Sequence, residues 1–477
     1  MPFADTRTPA TDPDGAAKES DLTDAYLNPP ATLEALAAPG RPLNAADDEL
    51  ARHEYVEQEF TLRGEARRYR MTDPGRDAEP VDAGHAYRTR LLVRRPREST
   101  RFSGTVVVEW FNVSCGQDLD FVYAATRELL LRAGHVWVGV SVQRVGVERL
   151  VSARPERYAG LSVAAPTDDP ADGCPMDLPH PLTGEPGSDV LGWDIFSDVA
   201  RVLRTPSASA LGLPSVGRLI ASGESQSAIR LSHYFNSIQP LHGLYDGFLL
   251  YDRAGPMALR TDIAARAISI GTDFFAEYAG GSPPDDADNQ RWWELAGASH
   301  VSLAEMRDYI DPQVLRDGLQ QLEGRAVSLT EVLDAAHAGP KGRLWSRVPN
   351  GDLLKAALHA LERWITESVA PACAPRLVLD GPRRLRRDAQ GRTMGGVRYA
   401  AHEVPSGRNE GIGPAGVALA GGHEDFGPEE MAQHHGSAQA YVAQVEAVVA
   451  ANLAQGFLLL PEAECVRAEA RAAGFEA

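Results

Sequence analysis

Cysteine is scarce in this 477-residue chain: Cys115, Cys174, Cys373 and Cys465 lie far apart with no C-x-x-C pair. That spacing excludes a disulfide framework and a cysteine zinc site and points to reduced thiols. The N-terminal stretch lacks a basic n-region and an apolar h-region, and no later run reaches the ~18 apolar residues of a membrane span. The expectation is a cytoplasmic protein with no membrane partner. Positive charge is also in deficit, with 47 Lys+Arg against 66 Asp+Glu and a formal net charge of −19. A surface of that balance repels phosphate backbones, which excludes nucleic acid as a partner. No P-loop, no strand-to-helix G-x-G-x-x-G and no H-E-x-x-H occurs, so no cofactor is required, and no internal repeat is visible.

What is present is an ordinary globular composition, 43% hydrophobic and 24% charged. Length alone allows up to three domains. Residues 1 to about 30 are rich in Asp, Thr, Pro and Ala without periodicity and read as a disordered or loosely docked tail. From Glu54 onward come short β-branched or alternating runs, EYVEQEFTLRG, AYRTRLLVRRP and GTVVVEWFN (104–112), the last apolar enough for a strand buried on both faces. Helix DFVYAATRELLLRAG (120–134), strand HVWVGVSV (135–142), helix DIFSDVARVLRT (194–205) and strand VGRLIASG (216–223) follow. Helix SQSAIRLSHYFNSI (225–238) then leads to strands YDGFLLYD (245–252), AISIG (267–271) and RWWELAG (291–297). Strands alternating with helices predict a mostly parallel sheet covered on both faces. The long loop 151–192 reads as a cap or pocket wall, with Met176, Leu178 and Leu182 as its apolar content. After His300 the pattern becomes mainly helical, broken by a basic hairpin region at 376–408.

The segment LIASGESQSAIRL (219–231) carries the chemistry, because an apolar strand runs through Gly223-Glu224-Ser225-Gln226-Ser227 directly into a helical pattern. A serine on such a tight turn is thrust out of the sheet, small residues two before and two after it avoid clashes, and the helix N-terminus favours developing negative charge. The alternative is a glycine turn that serves only close packing. An elbow serine needs a histidine to take its proton and a carboxylate to orient that histidine, both from later strand ends. Asp273, just after AISIG, and His300, just after RWWELAG, fit in that order. Glu277 is the next-best acid and a capping role is the plainer reading of Asp273. His423 in AGGHEDFG is the alternative base. Its neighbours Glu424, Asp425, His434 and His435 match no zinc spacing, so no metal is expected. For an oxyanion hole the amide of Gln226 would pair with that of Asn112 or Val113, at the end of TVVVEW. Glu109 and Glu224 lie near the site without an assigned step. The arginine runs Arg67-Arg68, Arg94-Arg95 and Arg383 to Arg387 read as solvated faces, and Trp292 and Trp293 face opposite sides of one strand.

These residues resemble a mostly bacterial family of α/β-hydrolase-domain proteins whose elbow reads G-E-S-Q-S-A. GTVVVEWFNVS is similar to that family's third strand and oxyanion loop, GWDIFSDVARVLR to the helix before the nucleophile strand, and WWELAGASH to its histidine segment. RYAGL (157–161), LLKAALHALERWI (353–365), the Gly-Gly-Val-Arg run at 395–398 and GSAQAYVAQVEAVVAANLAQGFLL (436–459) extend the likeness over roughly 85–470. Family members often read Glu-Thr-Asp where this chain reads Gly271-Thr272-Asp273. The resemblance implies an α/β-hydrolase fold with residues 31–300 as the core and 301–477 as a mainly helical extension packed on it. It also implies a serine esterase that cleaves a carboxylic ester through an acyl-enzyme, with Ser225 as nucleophile and His300 as base. The alternatives are an acyltransferase with the same residues, a non-catalytic small-molecule-binding protein on the same scaffold, and a structural protein with a coincidental elbow. The negative charge favours a neutral or cationic small-molecule ester.

Overall fold

The structure is a computed structural model that describes residues 29–46, 49–73, 75–165, 188–253, 257–336, 345–412 and 419–473. The expected tail up to residue 28 and the middle of the long loop, with Cys174, Met176, Leu178 and Leu182, lie outside the described residues.

One nine-stranded sheet organises the chain, in the order β1-β2-β3-β5-β4-β6-β7-β8-β9. Strands β1 (Thr32–Ala35), β2 (Tyr55–Arg70) and β3 (Glu79–Pro96) form an antiparallel ribbon that joins the rest by antiparallel pairing of β3 with β5 (Val136–Val140). From β5 through β4 (Thr105–Trp110), β6 (Arg218–Glu224), β7 (Gly247–Tyr251), β8 (Arg266–Thr272) and β9 (Gln290–Leu295) every pairing is parallel. Parallel strands need crossovers, and the intervening helices cover both faces. They include α1 (Phe121–Ala133), α2 (Arg144–Ala153), α3 (Gly192–Arg204), α4 (Gln226–His233) and the short α5 (Asp273–Tyr278). This is the mostly parallel sheet flanked by helices that the sequence predicts.

Strand alternation divides the apolar residues into two cores. Val106, Val108, Leu219, Ala221, Phe248 and Leu250 pack on one face with α2, α3 and α4. Val107, Ile220, Leu249 and Ile268 pack on the other, against α1 and residues after His300. Among those later elements α6 (Asn350–Glu367) seats Leu353, Leu354, Leu358 and Leu361 on that second face, and α7 (Ala438–Gln455) and α8 (Leu460–Ala472) pack around it. The β7 residue Gly247 allows that seating, because a Cβ there would lie 2.7 Å from the Ile365 side chain.

The expectation that the arginine runs are solvated fails at Arg94. Its guanidinium is fully buried, pairs with Asp120 at 2.6 Å and Glu57 at 2.8 Å, and lies over the Tyr123 and Trp137 rings. Arg90, also fully buried, pairs with Asp118 at 2.9 Å and Glu59 at 3.3 Å. Acids from β2 and from the loop after β4 meet these two cations of β3, so the charges are desolvated in pairs.

Candidate active site

The turn from β6 into α4 holds Ser225 at φ 52°, ψ −117°, a conformation that a side chain strains to adopt. Two neighbours make room. A Cβ on Gly223 would stand 2.9 Å from Ser227 Oγ and 3.0 Å from a Leu231 methyl. Ser227, in the place where a second glycine is common, closes the turn instead: its hydroxyl accepts from the Glu224 N–H and donates to the Glu224 carbonyl, both at 2.9 Å. Ser225 N–H donates to the Tyr251 carbonyl at 2.9 Å, tying the turn to β7.

His300, five residues beyond β9, reaches back across the strand ends. Its Nε2 lies 2.9 Å from Ser225 Oγ and its Nδ1 lies 2.5 Å from Asp252 Oδ2. Asp252 directly follows β7, has φ 45° and is fully buried. Its other bonds come from Thr272, the backbone N–H to Oδ1 at 2.9 Å and the hydroxyl to Oδ2 at 2.8 Å. The acid placed against the histidine is therefore Asp252, not Asp273, which the sequence favours. Strand order explains the difference. β7 adjoins β6, so an acid at its end lies between the serine and the incoming histidine loop, whereas β8 is one further strand spacing (~4.8 Å) away. Asp273 opens α5, buried, with the Thr393 hydroxyl donating to its Oδ2. Burial pushes its carboxyl up to about 7. What the Asp273 segment does bring to His300 is aromatic: Phe274 stacks on the imidazole with ring centroids 5.1 Å apart, and Phe275 meets it edge-on at 4.8 Å. Glu277 accepts from Leu385 N–H at 3.1 Å instead of approaching the histidine.

A second carboxyl meets the imidazole. Glu224 Oε1 lies 3.1 Å from His300 Nε2, while Glu224 Oε2 accepts from Asn112 Nδ2 at 2.8 Å. Burial raises the Glu224 carboxyl to about 8. Burial pulls His300 the other way, but Glu224 and then Asp252 outweigh it, so its affinity for a proton is raised above that of a free histidine. Glu305 stands behind, sharing the Tyr251 hydroxyl, which also donates to the His300 carbonyl at 3.2 Å. From α6, Asn350 donates to the Tyr251 hydroxyl and to the Ser299 carbonyl, each at 2.8 Å, and so pins the histidine loop.

Gln226 opens α4 directly after Ser225. Of the two candidates after β4, the Asn112 N–H already donates to the Leu119 carbonyl at 3.1 Å. Of the two alternatives this leaves the Val113 N–H, which has no partner among the described residues. Glu109 serves a neighbouring purpose, accepting from the Val122 and Tyr123 N–H groups and from Trp137 Nε1, each at 2.8 Å, and thereby anchoring the start of α1.

His423 lies on a separate hairpin strand, Gly422–Asp425, where its ring contacts Asn409 at 2.8 Å and Asp425 at 3.0 Å. It is not brought to Ser225. His434 stacks on Phe426, and His435 bonds the Pro405 carbonyl at 2.9 Å. Among the described residues no group of three or more His, Cys, Asp or Glu side chains is gathered as a metal site, and no helix is long and apolar enough to cross a membrane.

A mostly parallel sheet that presents a strained serine between strand and helix, bonded to a histidine whose second nitrogen meets a strand-end carboxylate, defines the α/β-hydrolase class. The chain belongs to the α/β-hydrolase-domain family, whose model matches residues 27–468. None of the curated proteins compared with the chain matches it. Solved structures similar to parts of it include the esterase Est22, at 15% identity over 45% of this chain and 50% of that one, with a TM-score of 0.25. Another is an α/β serine hydrolase without a lid from Xanthomonas campestris, at 14% identity over 47% of this chain and 85% of that one, with a TM-score of 0.27. A glucuronoyl esterase from Solibacter usitatus matches at 10% identity over 52% of this chain and 54% of its own, with a TM-score of 0.24. The chain thus spans about half the length of Est22.

Proposed function

We propose that this protein is a serine hydrolase that cleaves a carboxylic ester through an acyl-enzyme. The observation that carries the reading is the bonded series Ser225 Oγ to His300 Nε2 at 2.9 Å and His300 Nδ1 to Asp252 Oδ2 at 2.5 Å. In the first half-reaction Ser225 Oγ attacks the ester carbonyl while His300 Nε2 takes its proton, and Asp252 stabilises the imidazolium. The carbonyl oxygen, now an anion, is met by the N–H groups of Gln226 and Val113. Collapse expels the alcohol, which receives the proton from His300 and leaves Ser225 acylated. Water then enters, gives a proton to His300, and attacks the acyl carbon; collapse returns the proton to Ser225 and releases the acid.

The test is a panel of p-nitrophenyl esters together with fluorophosphonate labelling of the purified chain. Hydrolysis and labelling are expected in the wild-type protein and lost in Ser225→Ala. Full activity in that variant, or no labelling of the wild-type protein, would overturn the reading. Product analysis with an added alcohol acceptor separates hydrolysis from acyl transfer.

A further inference from the structure

Arg253 immediately follows the acid that orients His300, yet its side chain turns away from that relay. It is 2% exposed, and its Nε donates to Ser269 Oγ on β8 at 3.4 Å. Among the described residues Nη1 and Nη2 have no hydrogen-bond partner and Arg253 stands in no ion pair. The buried arginines of β3, Arg90 and Arg94, are by contrast matched by acids. The Arg253 guanidinium rests instead on Trp292, 4.5 Å from its ring centroid. Trp292 is the cross-strand partner of Ser269, and its indole Nε1 is also buried without a partner. Beside that nitrogen is Gly271, where a Cβ would stand 3.1 Å from Trp292 Nε1 and 3.4 Å from Glu294 Cγ. Glu294 does not answer the cation: its Oε2 accepts from Leu377 N–H at 2.9 Å.

A buried cation without a counter-charge is among the most costly arrangements a fold can hold, and unmade hydrogen bonds from buried donors add to that cost. Three orphaned donor nitrogens on two side chains in contact, two of them on one cation, describe a site that lacks its acceptor. We propose that Arg253 and Trp292 form a buried subsite for a small monovalent anion of halide or formate size, which supplies the charge and acceptor atoms that the chain omits at Gly271. Burial weakens the hold of Arg253 on its proton, lowering it to about 9, and a resident anion would reverse that tendency. The site is independent of ester hydrolysis and stands or falls separately from it.

The experiment is thermal unfolding of the full chain, freed of chloride by dialysis and titrated at constant ionic strength with sodium bromide or sodium formate against sodium gluconate, whose anion is too large for the site. Bromide and formate are expected to raise Tm saturably, as ligands of the folded state must, and gluconate to leave it flat. In Gly271→Glu, which places a carboxylate on the chain beside Trp292 Nε1, the starting Tm is expected to be higher and the bromide response abolished. Equal responses to bromide and gluconate, or an undiminished bromide response in Gly271→Glu, would overturn the proposal. Should that variant not fold, bromide-soaked crystals of the wild-type chain decide: an anomalous peak beside the Arg253 Nη atoms supports the site, and its absence where surface bromides are visible removes it.

Discussion

Two aspartates at strand ends look alike in the sequence, and they are distinguished by what each touches. Asp252 meets His300 and Thr272, whereas Asp273 meets Thr393. Asp252→Asn is therefore expected to lower kcat by about 10^4-fold, because the amide favours the wrong imidazole tautomer. Asp273→Asn should leave kcat within a few-fold of wild type. Steady-state kinetics on the two variants check this, and a severe loss confined to Asp273→Asn would return the orienting role to that residue. Glu224 offers a second test. Because its carboxyl raises the proton affinity of His300, and the base must be neutral to act, activity falls as pH drops through the raised His300 pKa. In Glu224→Gln the acid limb of kcat/KM should move to lower pH. An acid limb that stays in place would mean that Glu224 does not tune the base.

Elements carry these residues to one point by contacts distant in sequence. The ribbon β2–β3 holds the loop after β4 through Arg90 to Asp118 and Arg94 to Asp120, and this is the loop that presents the Val113 N–H. Arg94→Met leaves buried Asp120 and part-buried Glu57 uncompensated and is expected to cost about 3–5 kcal/mol, read as a fall in the denaturation midpoint. A shift under 1 kcal/mol would show the pairs to be solvated. The sequence displays the strands, the elbow and the histidine because those signals are local: apolar runs, a glycine two before the serine, a histidine just past a strand. It also displays YDGFLLYD with an acid at its end, but which strand-end acid faces the histidine depends on strand order, a non-local fact. The burial of Arg94 is hidden for the same reason, since its partners Glu57 and Asp120 come from different elements.

Across the whole molecule, burial sets the response to pH. Glu109 is raised to about 8, and Asp273, Glu294 and Glu305, none of them set against the His300 imidazole, to about 7. For an acid whose folded pKa is raised, the folded state binds more protons than the unfolded one, so the stability it contributes is full below about 4.5 and is lost as pH rises through 7 to 8. His242, lowered to about 3, and His402, lowered to about 4, act oppositely, with stability lost as pH falls below about 6.5. Tm is therefore expected to decline from pH 6 toward pH 8.5, because over that range the raised acids outnumber the two histidines. Scanning calorimetry across that range checks it, and a Tm that climbs from pH 6 to 8.5 would show that these carboxyls are not buried in their neutral form. The second face of the sheet belongs to the same scale. Leu353 to Leu361 of α6 cover Ile220, Leu249 and Ile268, so residues beyond His300 complete the core as well as pinning the histidine loop through Asn350.

The backbone of Ser225 has a consequence for selection. Glycine would occupy φ 52°, ψ −117° at little cost, whereas serine stores about 1–3 kcal/mol there. Ser225→Gly should raise Tm while abolishing ester cleavage, and a lowered Tm would refute the strain. Were folding the only demand on this chain, drift toward glycine would make it sturdier. A side chain kept where it weakens its own protein is the mark of a trade between endurance and work.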